Sequence, residues 1–170
     1  MNRTTVILAA SLACAGAALA QNPVIAEQKA AYTANKNNLI KAAEKMPEEA
    51  YSFKPTPEMQ TFGERIAHIA NQIGTCSSMT GERKPSPAAG KTSKADLVAA
   101  LKASFDACDA AWDAMNNDTA HEMVAGRGGQ QRTKITALIG NTTHNTELYG
   151  YIAVYMRLKG VVPPTSDRAM

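Results

Sequence analysis

The fold of this chain is decided by its last long apolar segment, His144-Asn-Thr-Glu-Leu-Tyr-Gly-Tyr-Ile-Ala-Val-Tyr-Met-Arg-Leu-Lys-Gly-Val-Val-Pro-Pro164. One apolar stripe at helical spacing begins before this segment and continues through it. The stripe consists of Ile135, Leu138, Ile139, Tyr149, Ile152 and Met156. A second stripe runs through His144, Leu148, Tyr151 and Tyr155. A helix that is apolar on two sides is mostly buried. The segment therefore predicts the final helix of a bundle, with His144 half-buried and the helix ended by Gly160 and Pro163.

Apolar residues at helical spacing predict three more helices before this one. The first carries Ile25, Tyr32, Leu39 and Met46. The second begins at a capping box, Thr61 with Glu64, and carries Phe62, Ile66, Ile69, Ile73 and Cys76. The third is capped by Ser93 and carries Leu97, Leu101, Phe105, Cys108, Trp112 and Met115. No segment after residue 20 alternates as a strand would, so we expect an all-α fold.

The two cysteines of these helices indicate how the helices run. Cys76 lies fifteen residues after the cap at Thr61, and Cys108 lies fifteen residues after the cap at Ser93. Parallel helices would place both sulfurs at one height, whereas antiparallel helices would separate them by roughly 15 Å, beyond disulfide reach. A Cys76–Cys108 disulfide therefore implies a four-helix bundle with a long crossover connection between parallel helices 2 and 3. Two buried free cysteines are the alternative.

The first twenty residues have the pattern of a secretory signal peptide. Arg3 precedes an apolar run, and Ala18-Leu-Ala20 forms a small-x-small cleavage site. Residues 21–170 then form one domain by length. We expect a periplasmic or secreted protein that has lost Cys14 with its signal. The oxidising compartment favours the disulfide.

Charge and hydropathy limit the partners that we expect. The chain has 18 basic and 15 acidic residues, and neither sign forms a long block, which argues against nucleic acid. The N-terminal apolar run is too short to span a bilayer, so stable membrane insertion is not expected. The remaining expectation is a small-molecule substrate or ligand, with homodimer formation left open.

The three histidines are the candidate metal ligands. His68 flanks the apolar stripe of helix two, His144 lies in the last helix, and His121 lies in a polar stretch between helices three and four. Two half-buried histidines on different helices are what a metal site in a bundle core requires. A histidine in such a position is more often satisfied by a hydrogen bond than by a metal.

Four segments together resemble the DinB/YfiT-like family of small metalloenzymes, especially its exported members. They are residues 46–58, residues 61–70, residues 105–112 and the helix that contains His144 and ends at Pro164. The resemblance implies a four-helix bundle with a crossover. It also implies a divalent metal, zinc or nickel, held by one histidine of helix two and a His-x-x-x-His pair of the last helix. Some members of the family are thiol-dependent transferases or isomerases.

Carried over by position, His68 matches the ligand of helix two and His144 matches the first histidine of the pair, but Leu148 replaces the second. Leucine cannot coordinate, and three protein ligands are usual in catalytic zinc sites. Glu147 or His121 could complete the site, as could a Cys76 thiolate if the disulfide is absent. No catalytic residue and no organic cofactor site is assigned.

Two functions follow from this incomplete site. The first is an exported divalent-metal-dependent enzyme of the hydrolase or thiol-transferase type. The second is a non-catalytic bundle, a binding or stress-related protein whose metal site has been lost. In the second case we expect an apolar ligand site between helices two and four, because Leu148 makes that region drier.

Overall fold

A computed structural model describes residues 22–126 and 129–167 of the chain. Its helices are α1 (Pro23–Lys45), α2 (Phe62–Ala70), α3 (Ile73–Thr80), α4 (Lys94–Asp113) and α5 (Lys134–Leu158), and its strands are β1 (Met123–Ala125) and β2 (Gln131–Thr133). Single 3-10 turns lie at Glu48–Ala50, Thr119–His121 and Pro164–Ser166. Within these ranges no helix has the length and apolarity needed to cross a bilayer. The predicted signal peptide lies outside the described residues.

The helices form a four-helix bundle in which α2 and α3 together make the second helix. α1 packs against α4 and α5, and the α2–α3 pair packs against the same two helices. All members of the stripes predicted for the first three helices are buried. The all-α fold class is therefore confirmed.

The second and third helices run parallel, joined by a crossover of residues 81–93. At their starts, a Cβ added to Gly63 would lie 3.3 Å from Leu97 Cδ1. Further along, Cys76 of α3 and Cys108 of α4 form a disulfide with their Cα atoms 4.7 Å apart. The two contacts occur at matching heights, as the spacing of the cysteines from their caps predicts.

Helix two departs from the prediction by breaking at Asn71 and Gln72. At the break, backbone hydrogen bonds tighten to three-residue spacing, from the N–H of Gln72 to the carbonyl of Ile69 and from Gly74 to Asn71. The turn places the Gln72 side chain in the core at 6% exposure, where it meets amides of α5. The prediction of one continuous helix is therefore wrong.

The expectation of no strand is wrong for six described residues. β1 and β2 pair antiparallel with Met123 opposite Thr133 and Ala125 opposite Gln131. Strands of three residues are too short to display a period of two against their surroundings. The hairpin leads into α5, whose first turn is capped by Thr133.

Two tyrosines attach α1 to its neighbours. The Tyr32 hydroxyl donates to Asp109 Oδ1 at 2.8 Å, and the Tyr51 hydroxyl donates to the Ala43 carbonyl at 2.6 Å. Burial raises the pKa of both phenols above the ordinary value, and for Tyr32 the hydrogen bond to Asp109 raises the pKa further. Both hydroxyls therefore stay protonated and act as structural donors.

Candidate functional site

The structure brings His68 of α2 and His144 of α5 together. Their Nε2 atoms lie 3.2 Å apart, and the rings meet nearly edge to face with centroids 5.5 Å apart. In a tetrahedral zinc site, Zn–N distances of about 2.0–2.1 Å place two ligand nitrogens about 3.3 Å from each other. The same separation permits a hydrogen bond between one neutral and one protonated nitrogen. The pair therefore fits two adjacent ligand positions of a divalent ion.

The register of α2 on α5 explains why these two histidines meet. The helices run antiparallel: the Tyr155 hydroxyl donates to the Gln60 carbonyl at 2.6 Å on one side of the pair. On the other side, Asn141 Nδ2 donates to Gln72 Oε1 at 2.9 Å. His68 and His144 fall at the height between these two contacts.

His144 lies at the surface of the bundle rather than in its core, with its side chain 51% exposed. His68 is also exposed. Residue 148 lies one turn after His144 but about 40° further around the helix. That rotation is enough to turn Leu148 into the core, where it is 2% exposed. The pair therefore lies at the rim of the bundle, with Leu148 on the core side of His144.

Glu147 approaches His144 from the side away from His68. Its Oε2 lies 3.4 Å from His144 Nδ1, while His144 Nε2 faces His68. A carboxylate on the second ring nitrogen of a metal-binding histidine commonly fixes the ring orientation rather than binding the metal. The observed position of Glu147 suits that orienting role.

The other two candidate ligands are not brought to the pair. His121 ends the 3-10 turn Thr119–His121 and is exposed. Cys76 is held in the disulfide, so it offers no thiolate. Across residues 22–126 and 129–167, no three or more histidine, cysteine or acidic side chains are grouped so that they could hold a metal ion.

Beneath the histidines lies a buried cluster of amide side chains. Gln72, one turn after His68, accepts hydrogen bonds at Oε1 from Asn141 and Asn145 of α5. Asn145, the neighbour of His144, is 2% exposed, and Asn35 of α1 donates to Thr146 at 3.2 Å. These contacts fix α5 against α2 and α1 at the height of the site.

On the opposite side of the pair, Arg65 of α2 stacks on Tyr151 of α5. The guanidinium carbon lies 5.0 Å from the ring centroid. Arg65 precedes His68 by three residues, so both lie on the same face of α2. The sequence interpretation missed Arg65 and Gln72, although their spacing of three and four residues from His68 was the signal that could have identified them.

Two surface cavities lie away from the histidines. One, of 380 Å³, is lined by Lys41, Glu44, Lys45, Pro164 and Asp167. The other, of 350 Å³, is lined by Glu44, Glu48, Lys94, Ala95 and Val98. Both lie beside α1, and neither matches the apolar ligand site that we expected between helices two and four.

Comparison with known proteins identifies the family of the chain. The sequence profile of the DinB superfamily matches residues 31–152, more than half of the chain. No match was found among curated proteins.

Solved structures show the same fold. A DinB-like protein from Bacillus cereus ATCC 10987 has a TM-score of 0.67 at 20% identity, over 82% of this chain and 95% of that one. The DinB-like protein YjoA from Bacillus subtilis has a TM-score of 0.65 at 20% identity, over 86% and 99%.

The mycothiol-dependent maleylpyruvate isomerase has a TM-score of 0.58 at 17% identity, over 76% of this chain. The match spans 59% of the isomerase, so this chain resembles one part of a longer protein. At such identities the likeness concerns the fold. The profile match and the shared bundle lead to one conclusion: the chain belongs to the DinB superfamily.

Proposed function

We propose that this protein binds a divalent metal ion, zinc or nickel, through His68 and His144, and acts on a small molecule that takes a further coordination position. The observation that supports this proposal is the 3.2 Å separation of the two Nε2 atoms. A bound divalent ion would supply Lewis acidity, which lowers the pKa of a coordinated water or thiol.

Several residues of the chain would have separate roles in such a site. His68 and His144 would hold the ion, and Glu147 would fix the ring of His144 through Nδ1. The amide cluster around Gln72 would keep α5 at the correct height on α2. Because only two protein ligands are at hand, more positions stay available to a substrate than in a three-ligand site. The expected cost is a lower affinity for the metal.

The reaction class that we favour is thiol transfer or thiol-dependent isomerisation, with hydrolysis as the second possibility. The favoured class is suggested by one protein of similar fold, the mycothiol-dependent maleylpyruvate isomerase. A small thiol is also a soft ligand that binds zinc as a thiolate. A rim site exposed to solvent, as this one is, gives such a ligand direct access.

We further propose that the protein acts after export. The Cys76–Cys108 disulfide supports this location, because disulfides persist in oxidising compartments such as the periplasm and the exterior of the cell.

A second candidate function is favoured by Leu148. The residue is 2% exposed and packs in the hydrophobic core. The position that carries the third histidine in the family pattern therefore serves packing in this chain. On this reading the protein is a non-catalytic bundle that binds a small molecule or partner, and the two histidines are joined by a hydrogen bond.

Metal analysis of the mature protein, purified without a metal-binding tag, separates the two functions. We expect about one divalent ion per chain, lost in His68→Ala and in His144→Ala. His121→Ala is the matched control and should keep the ion, because His121 lies away from the pair. Absence of metal after incubation with excess zinc and nickel would leave the non-catalytic function standing.

Two substitutions of Glu147 test its role. If Glu147 orients His144, Glu147→Gln keeps an acceptor for Nδ1–H and should retain most of the affinity, whereas Glu147→Ala should lose about tenfold. If Glu147 is a direct ligand, the two variants should lose affinity alike. Competition with a chromophoric zinc chelator measures both.

A further inference from the structure

We propose that Arg65 and Tyr151 form an anion-binding position beside the histidine pair, so that the ligand of the site is a small molecule with both a metal-binding donor and a carboxylate. This inference deepens the proposed function and rests on it for the role of the donor. The carboxylate position itself depends only on Arg65 and its surroundings.

The first observation is the state of the Arg65 guanidinium. Its Nε is buried from solvent and donates to no acceptor in the described part of the chain. None of the ion pairs found among those residues includes Arg65. A partly buried cation without an anion has lost hydration that nothing in the protein replaces. An incoming carboxylate would neutralise the cation through charge-assisted hydrogen bonds at the two Nη atoms.

The neighbouring carboxylates are already held elsewhere. Glu64, next to Arg65 in the chain, accepts from the Thr61 backbone N–H at 2.6 Å in the capping box of α2. Glu147 lies on the Nδ1 side of His144 at 3.4 Å. Neither makes an ion pair with Arg65 in this structure, so the guanidinium is left to an external anion.

Tyr151 gives this position its shape. Its ring is 41% exposed and lies under the guanidinium at 5.0 Å. Stacking on an aromatic face holds the guanidinium plane while leaving its edge open to hydrogen bonding. Because Nε is buried, a planar carboxylate would approach the two Nη atoms.

The spacing from Arg65 to the histidines sets the size of the ligand. Arg65 and His68 are three residues apart on one face of α2, so their positions are about 4.5 Å apart along the helix axis. A chain of two or three carbons spans that distance. The ligand class is thus a short thiol acid or hydroxy acid.

The first test needs no metal. Titration of the metal-free protein with 3-mercaptopropionate, followed by the NMR signal of Arg65 Nε–H, should give a saturable shift. The signal should not move with 3-mercaptopropanol, which has the same thiol but no charge. No saturable shift of Arg65 would overturn the anion position whether or not metal binds.

The second test uses the cobalt(II)-loaded protein and its visible absorption. We expect the thiol acid to bind at least about tenfold more tightly than the thiol alcohol, since a charge-assisted bond adds that much affinity. Arg65→Gln should remove this preference while leaving cobalt binding intact, whereas Lys41→Gln, an exposed charge of α1, should keep it. A preference that survives Arg65→Gln would reject the inference. Failure to bind cobalt would instead reject the proposed metal function, and the NMR titration would then decide the anion position.

Discussion

Residue 148 determines how far the site departs from the three-histidine pattern that the family resemblance implies. His144 and residue 148 are one turn apart, yet the first is exposed and the second is buried. A side chain at 148 therefore reaches the site from the core side. A leucine there contributes to packing and cannot bind a metal.

A histidine introduced at this position should strengthen the proposed metal site. Without metal, Leu148→His should lower the free energy of unfolding by about 2 kcal/mol, because a polar ring replaces a buried aliphatic group. With zinc, we expect affinity to rise at least about tenfold, since a third imidazole completes the protein ligands. Denaturation with and without zinc measures both effects, because a ligand that binds only the native state raises its stability.

Leu148→Asn is the matched control for this substitution. It also places a polar group in the core but adds no imidazole, so zinc should stabilise it no more than it stabilises the original protein. Equal zinc stabilisation of the two variants would mean that residue 148 does not face the ion.

At the residue scale, the sequence predicted which histidines meet more reliably than how exposed they are. His68 and His144 were identified from their helices and from the family pattern, and the structure brings them together. The exposure of His144 was underestimated because both stripes of α5 are apolar, so periodicity alone did not show where the buried face of the helix ends. Arg65 was overlooked because an arginine on an amphipathic helix normally indicates a solvated face.

Among the elements, α2 depends on its first turn for its position. Thr61 Oγ1 accepts from the Glu64 N–H at 3.1 Å, and the Glu64 carboxylate accepts from the Thr61 N–H. Both bonds fix the start of the helix that carries Arg65 and His68. The capping box was predicted from four residues, because a cap is a local interaction that sequence displays directly.

The cap should give stability a specific dependence on pH. The hydrogen bond from the Thr61 backbone lowers the pKa of the Glu64 carboxyl below its ordinary value. The ionised carboxylate therefore favours the folded state above the unfolded pKa, and this contribution is lost as the pH falls through the folded pKa. Glu64→Gln should destabilise the protein at neutral pH and have little effect in strong acid. Urea denaturation across pH measures this.

Thr61→Ala should cost about 1 kcal/mol at all these pH values, since the threonine cap does not titrate. An equal loss for Glu64→Gln in acid and at neutrality would contradict the capping role of the carboxylate.

Two features of the elements did not follow from the sequence. The break at Asn71 and Gln72 depends on Asn141 and Asn145 of α5, which are distant in the chain. Helix propensity depends on the local sequence and does not reveal such distant partners. The β1–β2 hairpin is held by three residue pairs, too few for a detectable period.

For the whole molecule, the topology was predictable because one covalent constraint relates two distant segments. Equal spacing of Cys76 and Cys108 from their caps excluded antiparallel helices for a bonded pair, and the structure has the parallel arrangement. Hydrophobic pattern alone would have fitted an up-down bundle equally well.

Removal of the disulfide should lower stability substantially. The two cysteines are 32 residues apart, and closing a loop of that length removes chain entropy from the unfolded state worth about 3.7 kcal/mol. A Cys76→Ala, Cys108→Ala variant should lose a similar amount in urea denaturation. Reductant should lower the original protein to the same level and leave the double variant unchanged. A variant as stable as the oxidised protein would show that the bond adds no net stability.

The crossover and the disulfide together have a consequence for resistance to proteolysis. Residues 81–85 are exposed, so a protease can reach this connection. Because Cys76 precedes the crossover and Cys108 follows it, a cut there leaves two polypeptides held as one covalent molecule. His68 and His144 belong to different pieces after such a cut, yet both pieces remain tethered. The disulfide therefore keeps the bundle in one covalent molecule even when the exposed crossover is cut.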